Sequence, residues 1–217
     1  LTMYYYCERT TDSFLSEPLN SITNLAFLIV AIFIYKKYRD QIYVNVFSFS
    51  IFFIGIGSFL FHTIPSKITG LLDILFILIF ILIYIYLISY CLLKLNKLFS
   101  AFHAFISPFL YFYLGGILKS NFLFLGDSSF YVIILIHLYI IFLISFIKKI
   151  DFSLHILLAA LIFTLSISFR AVDHYFCAEN IHGTHFVWHI CNSLVLYVLV
   201  NCFYKALIQT SAPKIPS

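Results

Sequence analysis

Two histidines one helical turn apart stand in an otherwise apolar stretch near the C-terminus. His185 and His189 lie in GTHFVWHICN, residues 183–192, and side chains four residues apart project from the same face of a helix. Neutral imidazole nitrogens are common zinc ligands, so the pair predicts a metal site if a third ligand comes from elsewhere. The spacing is not the metalloprotease motif H-E-x-x-H, because no glutamate stands between the two histidines. The alternative is a pair of capped or solvent-facing histidines that bind nothing.

A second polar group, in the sequence GIGSFLFHT, supplies the candidate third ligand. His62 lies near the end of this stretch, Ser58 lies four residues before it, and Asp73 follows eleven residues later. Three histidines with water in the fourth position are typical of catalytic zinc, which lowers the pKa of bound water toward ~7. His182 is a rival third ligand, although Gly183 separates it from the helix. Ser58 could instead be a small residue for close helix packing, and Asp73 could be a helix N-cap or a first-turn carboxylate.

The elements that must hold these side chains are membrane helices. The chain has 217 residues, of which 63% are hydrophobic and 10% charged, and its mean hydropathy is +1.04. A soluble domain of this size needs more polar surface, whereas helices of about 20 apolar residues satisfy their own backbone in lipid. We therefore predict an all-α membrane protein, a seven-transmembrane helix bundle in a single domain over residues 1–217. Its helices are expected at 19–35, 44–62, 71–93, 98–118, 128–147, 153–172 and 184–204.

Basic residues predict the orientation of these helices, because lysines and arginines accumulate in cytoplasmic loops. Four basic residues fall on the N-terminal side of the membrane: Arg9, Lys67, Lys119 and Arg170. Nine fall on the other side: Lys36, Lys37, Arg39, Lys94, Lys97, Lys148, Lys149, Lys205 and Lys214. We therefore expect the N-terminus outside the cell or in a lumen and the C-terminus in the cytoplasm. The net charge of +4 reports this topology and does not indicate a nucleic-acid partner.

On this map, the polar residues collect at the outer ends of four helices. The residues that share this depth are Ser58, His62, Asp73, Asp173, His185 and His189. Ionisable side chains inside a membrane are costly, face the bundle interior and usually mark function. His103, His137 and His155 fall on other segments away from this layer, and we interpret them as hydrogen-bonded packing or interface histidines.

The combination of motifs resembles the alkaline ceramidase family, within the superfamily of seven-helix membrane hydrolases that includes the progestin and adiponectin receptors. The resemblance covers nearly the whole chain and rests on YCERT, SEPLNSITNLAF, GIGSFLFHT with Asp73, FRAVDHYFC and GTHFVWHICN. It implies that His62, His185 and His189 hold a catalytic zinc ion. It also implies that Ser58 and Asp73 contact the zinc-bound water or the developing oxyanion. The reaction implied is hydrolysis of the ceramide amide bond to a sphingoid base and a fatty acid.

The resemblance also raises calcium, which animal members of the family bind near the N-terminus through acids and amides. Glu8 and Glu17 match two of those positions. Tyr5 and Thr10 stand where an aspartate and an asparagine are expected, and the segment between the two glutamates is shorter. Calcium takes about six to eight oxygen ligands, and Asp12 is a candidate substitute. The alternative is that Glu8 and Glu17 hydrogen-bond the N-terminal segment over the mouth of the bundle.

The family precedent further favours a disulfide between Cys7 and Cys177, the two cysteines predicted on the outer side, where an oxidising compartment permits pairing. Two alternatives to a ceramidase stay open: a related zinc hydrolase of another lipid, and a non-enzymatic, receptor-like membrane protein. The expected partner is a ceramide-like lipid, with zinc as cofactor and calcium if its site is retained. The short chain and compact loops favour a bacterial inner membrane over the endoplasmic reticulum or Golgi.

Overall fold

The computed structural model describes residues 6–11, 13–150 and 152–211. Over these residues the α-helices are α1 (Pro18–Thr23), α2 (Leu25–Tyr38), α3 (Ile42–Thr63), α4 (Lys67–Leu87), α5 (Lys97–Asn121), α6 (Ser128–Ile147), α7 (Ser153–Phe176) and α8 (His185–Ser211). A π-helical turn, Ile88–Leu92, continues α4, and a 3-10 turn, Leu123–Leu125, precedes α6. Tyr5, Asp12 and Lys214, which the sequence predictions used, lie outside the described residues.

Among the described residues, seven helical stretches are long and apolar enough to cross a membrane, which confirms the predicted all-α, seven-helix fold. The first stretch, Pro18–Tyr38, combines α1 and α2, and the third, Lys67–Leu92, combines α4 with the π-helical turn. The last helix was predicted to end at residue 204 and instead continues to Ser211. Many large apolar side chains face outward, as lipid contact requires. The chain is therefore an integral membrane protein.

The third spanning helix begins at Lys67 instead of the predicted residue 71. Ser66 and Thr69 form a capping box that starts it. The Ser66 hydroxyl accepts a hydrogen bond from the Thr69 N–H (3.1 Å), and the Thr69 hydroxyl accepts one from the Ser66 N–H (2.9 Å). Asp73 therefore lies in the second turn of α4, and the alternative that it caps the helix or lies in its first turn is wrong.

Consecutive helices pack against one another, and α8 closes the bundle by contacting α1, α2 and α3. Large, fully buried apolar side chains fill the centre: Phe47, Ile51, Ile156, Val200 and Phe203. Helices α3 and α4 approach closely at Gly57, where a Cβ would lie only 3.0 Å from the Leu72 carbonyl oxygen. This approach places α3 beside the turn of α4 that carries Asp73.

The segment before α1 is fastened to the end of the bundle where α8 begins. A disulfide joins Cys7 to Cys177, the pair that the family resemblance implied. Asp173 adds backbone contacts, because one carboxylate oxygen accepts hydrogen bonds from the N–H groups of Thr184 (2.6 Å) and His185 (2.9 Å). Its other oxygen accepts one from the Cys7 N–H (3.1 Å). Asp173 thus holds the start of α8 and the N-terminal segment together.

Candidate functional site

Three buried histidines meet at this end of the bundle. His62 comes from the last turn of α3, and His185 and His189 come from the first turns of α8. One ring nitrogen of each lies within 4.8 Å of those of the other two. Across residues 6–11, 13–150 and 152–211, this is the one group of three or more His, Cys, Asp or Glu side chains that could hold a metal ion. The structure therefore brings the three predicted ligands together.

Hydrogen bonds to the Nδ1 atoms set the orientation of two of these rings. Nδ1 of His62 lies 2.6 Å from a Glu17 carboxylate oxygen, and an ionised carboxylate only accepts. Nδ1 of His189 lies 2.9 Å from the Thr23 hydroxyl, whose own hydrogen is donated to the Leu19 carbonyl oxygen at 2.8 Å. In both rings Nδ1 is therefore the donor, and Nε2 carries the lone pair that a metal needs.

The third ring, that of His185, has a different environment. Its Nδ1 is buried and has no hydrogen-bond partner among the described residues. The ring stacks on Tyr6, with the two centroids 3.8 Å apart and the planes at 25°. A buried imidazole nitrogen without a partner is costly unless a ligand satisfies it. The donor set therefore fits a zinc ion, which binds neutral imidazole nitrogens.

Asp73 and Ser58 lie together where α4 faces α3. Ser58 is buried and Asp73 is half-buried. The Asp73 carboxyl interacts with the Ser58 hydroxyl, and also with the side chains of His62 and Arg170. Both residues line the same cavity as two of the three histidines. A carboxylate that can accept a proton and a hydroxyl that can donate a hydrogen bond thus stand beside the candidate metal ligands.

Two largely apolar cavities meet at this polar group. The first holds about 1050 Å³ of empty space, its mouth included, and extends into the bundle between α4 and α8. The second holds about 1020 Å³ between α4, α5 and α6, and its walls include Ile74 and Phe112, which are exposed on the outside of the bundle. Both cavities are lined by Asp73, Tyr6 and Arg170. The second cavity therefore extends from the outside of the bundle, between α4 and α5, to the polar group.

Sequence reasoning missed Tyr6 and Thr23 and gave Arg170 no role. The Arg170 guanidinium lies over the rings of Tyr131 and Trp188, 5.2 and 5.5 Å from their centroids, which holds it at the cavity wall. The available signal was an arginine inside an apolar helix, since such residues usually serve function. Thr23 lies inside the motif SEPLNSITNLAF, but its contact with the last helix is set only by packing.

The two glutamates predicted as calcium ligands are occupied by protein donors. Glu8 accepts hydrogen bonds from two backbone N–H groups of α1, both at 2.8 Å. Glu17 forms an ion pair with Arg9 and accepts hydrogen bonds from His62 and from the Asn20 amide, the latter at 2.9 Å. These contacts agree with the alternative in which both glutamates fasten the N-terminal segment. They do not fit calcium, because the guanidinium already supplies the cation, and the calcium prediction is not supported.

The charge state of Glu17 follows from these partners. Burial alone would raise the pKa of the Glu17 carboxyl, but the hydrogen bond from His62 opposes the rise. The Asn20 amide and the Arg9 guanidinium act in the same direction, so the pKa of Glu17 lies below its usual value. Burial also raises the pKa of the Tyr6 phenol. At neutral pH, Glu17 is therefore an ionised acceptor, and Tyr6 is a neutral side chain at the site.

Other histidines do not join the three. His182, the rival third ligand, is exposed, and its Nδ1 lies 3.4 Å from a Glu8 oxygen. His103 and His137 contact each other between α5 and α6, with their Nε2 atoms 3.1 Å apart. That contact agrees with the interpretation of both as hydrogen-bonded packing histidines.

Comparison with known protein families identifies the family to which this chain belongs. A family model described as Ceramidase matches residues 4–214, nearly the whole chain. The chain belongs to the ceramidase family. A search of curated proteins finds no match. Membership of the ceramidase family makes the protein a ceramidase-like hydrolase with a lipid substrate, and it agrees with the resemblance carried by the sequence motifs.

Proposed function

We propose that this protein is a zinc-dependent membrane amidase that hydrolyses ceramide to a sphingoid base and a fatty acid. One observation carries the proposal: a histidine cluster that could hold a metal lies with Asp73 and Ser58 where two apolar cavities meet. Ceramide has two hydrocarbon chains joined at a single amide, so its shape matches two apolar cavities that share one polar group. Membership of the ceramidase family supports the lipid substrate.

His62, His185 and His189 are the proposed zinc ligands. When bound, zinc would polarise the amide carbonyl and lower the pKa of the attacking water. Glu17 and Thr23 would keep two of the Nε2 atoms turned toward the ion, because each accepts a hydrogen bond from the Nδ1 of its ring. The proposed ligand set leaves one tetrahedral position for water, as catalytic zinc sites do.

Asp73 is the proposed proton carrier. A water oxygen bonds to the carbonyl carbon, and Asp73 accepts the proton that this water loses. The C–N bond then breaks, and Asp73 returns the proton to the leaving nitrogen. The products are a fatty acid and the free amine of the sphingoid base. The half-buried position of Asp73 on the wall of both cavities supports this role.

Ser58 is the proposed oxyanion donor. Its hydroxyl would donate a hydrogen bond to the oxygen of the tetrahedral intermediate, a contribution of about 3–4 kcal/mol in well-formed sites. Its burial and its interaction with Asp73 support this role, since both residues line the cavity beside the histidines. Serine is also small enough to allow close packing of α3 on α4, so the catalytic and packing roles of Ser58 are compatible.

The test is to offer purified protein ceramides and other acyl lipids and to identify the products by mass. We expect release of sphingoid base that is lost after zinc chelation and in His189→Ala. His174→Ala is the matched control, because His174 is an exposed histidine at the end of α7 that precedes α8. Lipid turnover that survives both chelation and His189→Ala would overturn the mechanism. Turnover of another lipid with ceramide untouched would favour the alternative hydrolase, and zinc binding with no turnover would favour a receptor-like protein.

The orientation in the membrane is part of the proposal. The basic residues favour an N-terminus outside the cytoplasm. The short chain and compact loops favour a bacterial inner membrane over the endoplasmic reticulum or Golgi. Lys67 and Lys148 are both exposed but lie at opposite ends of the bundle. A membrane-impermeant amine reagent applied to sealed cells should label Lys67 and leave Lys148 unlabelled; the reverse pattern would invert the topology.

A further inference from the structure

The side chain of Arg9 is buried beside the histidine cluster. Its guanidinium forms an ion pair with one oxygen of Glu17, and the exposed fractions of the two side chains are only 7% and 0%. The guanidinium also donates to the Phe61 carbonyl oxygen at 3.3 Å and lies 5.3 Å from the centroid of the Phe61 ring. A charge this deeply buried needs a partner, so Arg9 and Glu17 form a unit.

That unit continues to a proposed metal ligand. The second oxygen of Glu17 accepts the hydrogen bond from Nδ1 of His62 at 2.6 Å and one from the Asn20 amide at 2.9 Å. A carboxylate bonded to the distal nitrogen of a histidine ligand fixes the ring and increases its basicity. Arg9 therefore contacts His62 through a single carboxylate.

The neighbouring carboxylate is equally committed. Both oxygens of Glu8 accept hydrogen bonds from α1, from the N–H groups of Leu19 and Asn20, each at 2.8 Å. Calcium takes about six to eight oxygen ligands and would compete with these donors and with the Arg9 cation. Each carboxylate oxygen of Glu8 and of Glu17 already has a protein donor.

We infer that Arg9, and not a calcium ion, supplies the positive charge at this position, and that it acts as a positioning residue for His62 through Glu17. The chain then needs no calcium. Its N-terminal segment is coupled to the metal site by an internal cation. The part of this inference that concerns zinc rests on the proposed function, whereas the part that concerns calcium does not.

Calcium is tested first on the unaltered protein. Full-length protein purified in calcium-free buffer is dialysed to equilibrium against millimolar calcium chloride, and its calcium content and thermal unfolding are measured. We expect no stoichiometric calcium and no shift of the unfolding temperature. One calcium bound per chain, with a saturable rise in unfolding temperature, would overturn the inference even if zinc is present as proposed.

Arg9→Ala tests the coupling to the metal site. We expect its zinc dissociation constant, measured by competition with a chelating dye, to rise about tenfold, the lower end of what losing an outer partner of a metal ligand costs. The zinc dissociation constant of Arg9→Lys should rise less, because lysine keeps the positive charge but loses the planar guanidinium. Arg39→Ala, at an exposed arginine after α2, should leave the constant unchanged.

A third variant separates this role from a merely structural one. Arg9→Asp replaces the cation with a further carboxylate beside Glu17, and we expect it to gain calcium binding in the same dialysis experiment. Unchanged zinc affinity in folded Arg9→Ala would overturn the coupling. If Arg9→Ala does not fold, the zinc affinity of Arg9→Lys tests the coupling, and the calcium content of the unaltered protein tests the exclusion of calcium. Absence of zinc from the unaltered protein would instead remove the proposed function and leave the calcium result standing.

Discussion

Two groups of histidines lie inside this bundle, and they use their ring nitrogens differently. In the outer cluster, which is His62, His185 and His189, each hydrogen-bonded Nδ1 has a partner that accepts from it. Glu17 accepts from His62, and Thr23 accepts from His189. Their Nε2 atoms therefore keep lone pairs, and the three residues lie close enough together to hold a metal ion.

In the inner pair, which is His103 and His137, every ring nitrogen has a partner within the protein. The two Nε2 atoms contact each other at 3.1 Å. Nδ1 of His103 lies 2.8 Å from the Ser89 hydroxyl, and Nδ1 of His137 contacts the Tyr111 hydroxyl. The pair forms a hydrogen-bonded chain between the π-helical turn after α4, α5 and α6, and it has no lone pair left for a ligand.

The difference shows that a group of histidines within a membrane bundle does not by itself make a metal site. What separates the two groups is the partner of the second ring nitrogen. When Nδ1 donates to an acceptor, Nε2 keeps a lone pair that can bind a metal. When Nε2 hydrogen-bonds to another histidine, it is not available as a metal ligand. The following predictions test this difference.

The largest effect is expected from removing a histidine of the outer cluster, with removal of a histidine of the inner pair as the comparison. His189→Ala should lower lipid turnover by about 10³-fold or more, the scale of losing preorganised electrostatic stabilisation. His137→Ala should retain zinc, because its nitrogens are bonded within the protein. Turnover and metal content of both variants provide the measurement. Loss of zinc from folded His137→Ala would contradict the assignment of metal binding to the outer cluster alone.

Asp73→Asn should lower turnover by ~10²- to 10⁴-fold, because the amide cannot accept the proton of the attacking water. Zinc should stay bound, since the three proposed ligands are unchanged. The effect should appear in kcat more than in KM, measured with a soluble ceramide analogue in detergent. Near-normal turnover by this variant would assign the proton transfer to another group.

Thr23→Val removes the acceptor on Nδ1 of His189 at nearly constant volume. We expect zinc affinity to fall by about 10- to 100-fold, because the ring loses its preferred tautomer and orientation. Ser89→Ala is the matched change at the inner pair, where it removes the partner of His103. It should leave zinc affinity unaltered. Equal effects of the two substitutions would show that hydrogen bonds at the outer cluster have no special role.

The smallest effect is expected from Tyr111→Phe, which removes the hydroxyl at the end of the inner chain. Hydrogen bonds between membrane helices contribute about 0.6 kcal/mol on average and up to about 1.7 kcal/mol. The free energy of unfolding in detergent should fall by about 0.6 to 1.7 kcal/mol, and the metal content should not change. A loss of zinc in this variant would mean that the two groups are coupled.

Much of the architecture was predictable from the sequence, because lipid imposes a simple rule. Uninterrupted apolar runs must become helices that satisfy their own backbone, and all seven predicted spans are present. The error at the start of α4 had a readable cause: the capping residues Ser66 and Thr69 were assigned to a loop. A serine followed three residues later by a threonine has the spacing of a capping box, and the two residues form one.

The site was predictable where its residues follow helical spacing and not where folding alone joins them. Ser58 and His62, and His185 and His189, are each four residues apart, so a shared face could be expected. The contact of Arg9 with Glu17 joins two residues that lie outside the helices. Pairing there depends on how the chain folds over the bundle, which periodicity does not encode.

The central claim is that the outer cluster holds zinc, and metal analysis of His62→Ala against the unaltered protein tests it most directly. Both proteins would be purified without added chelator, checked for folding and analysed for zinc by mass spectrometry. We expect one zinc per chain in the unaltered protein and almost none in His62→Ala. Stoichiometric zinc in folded His62→Ala, or no zinc in the unaltered protein, would contradict it.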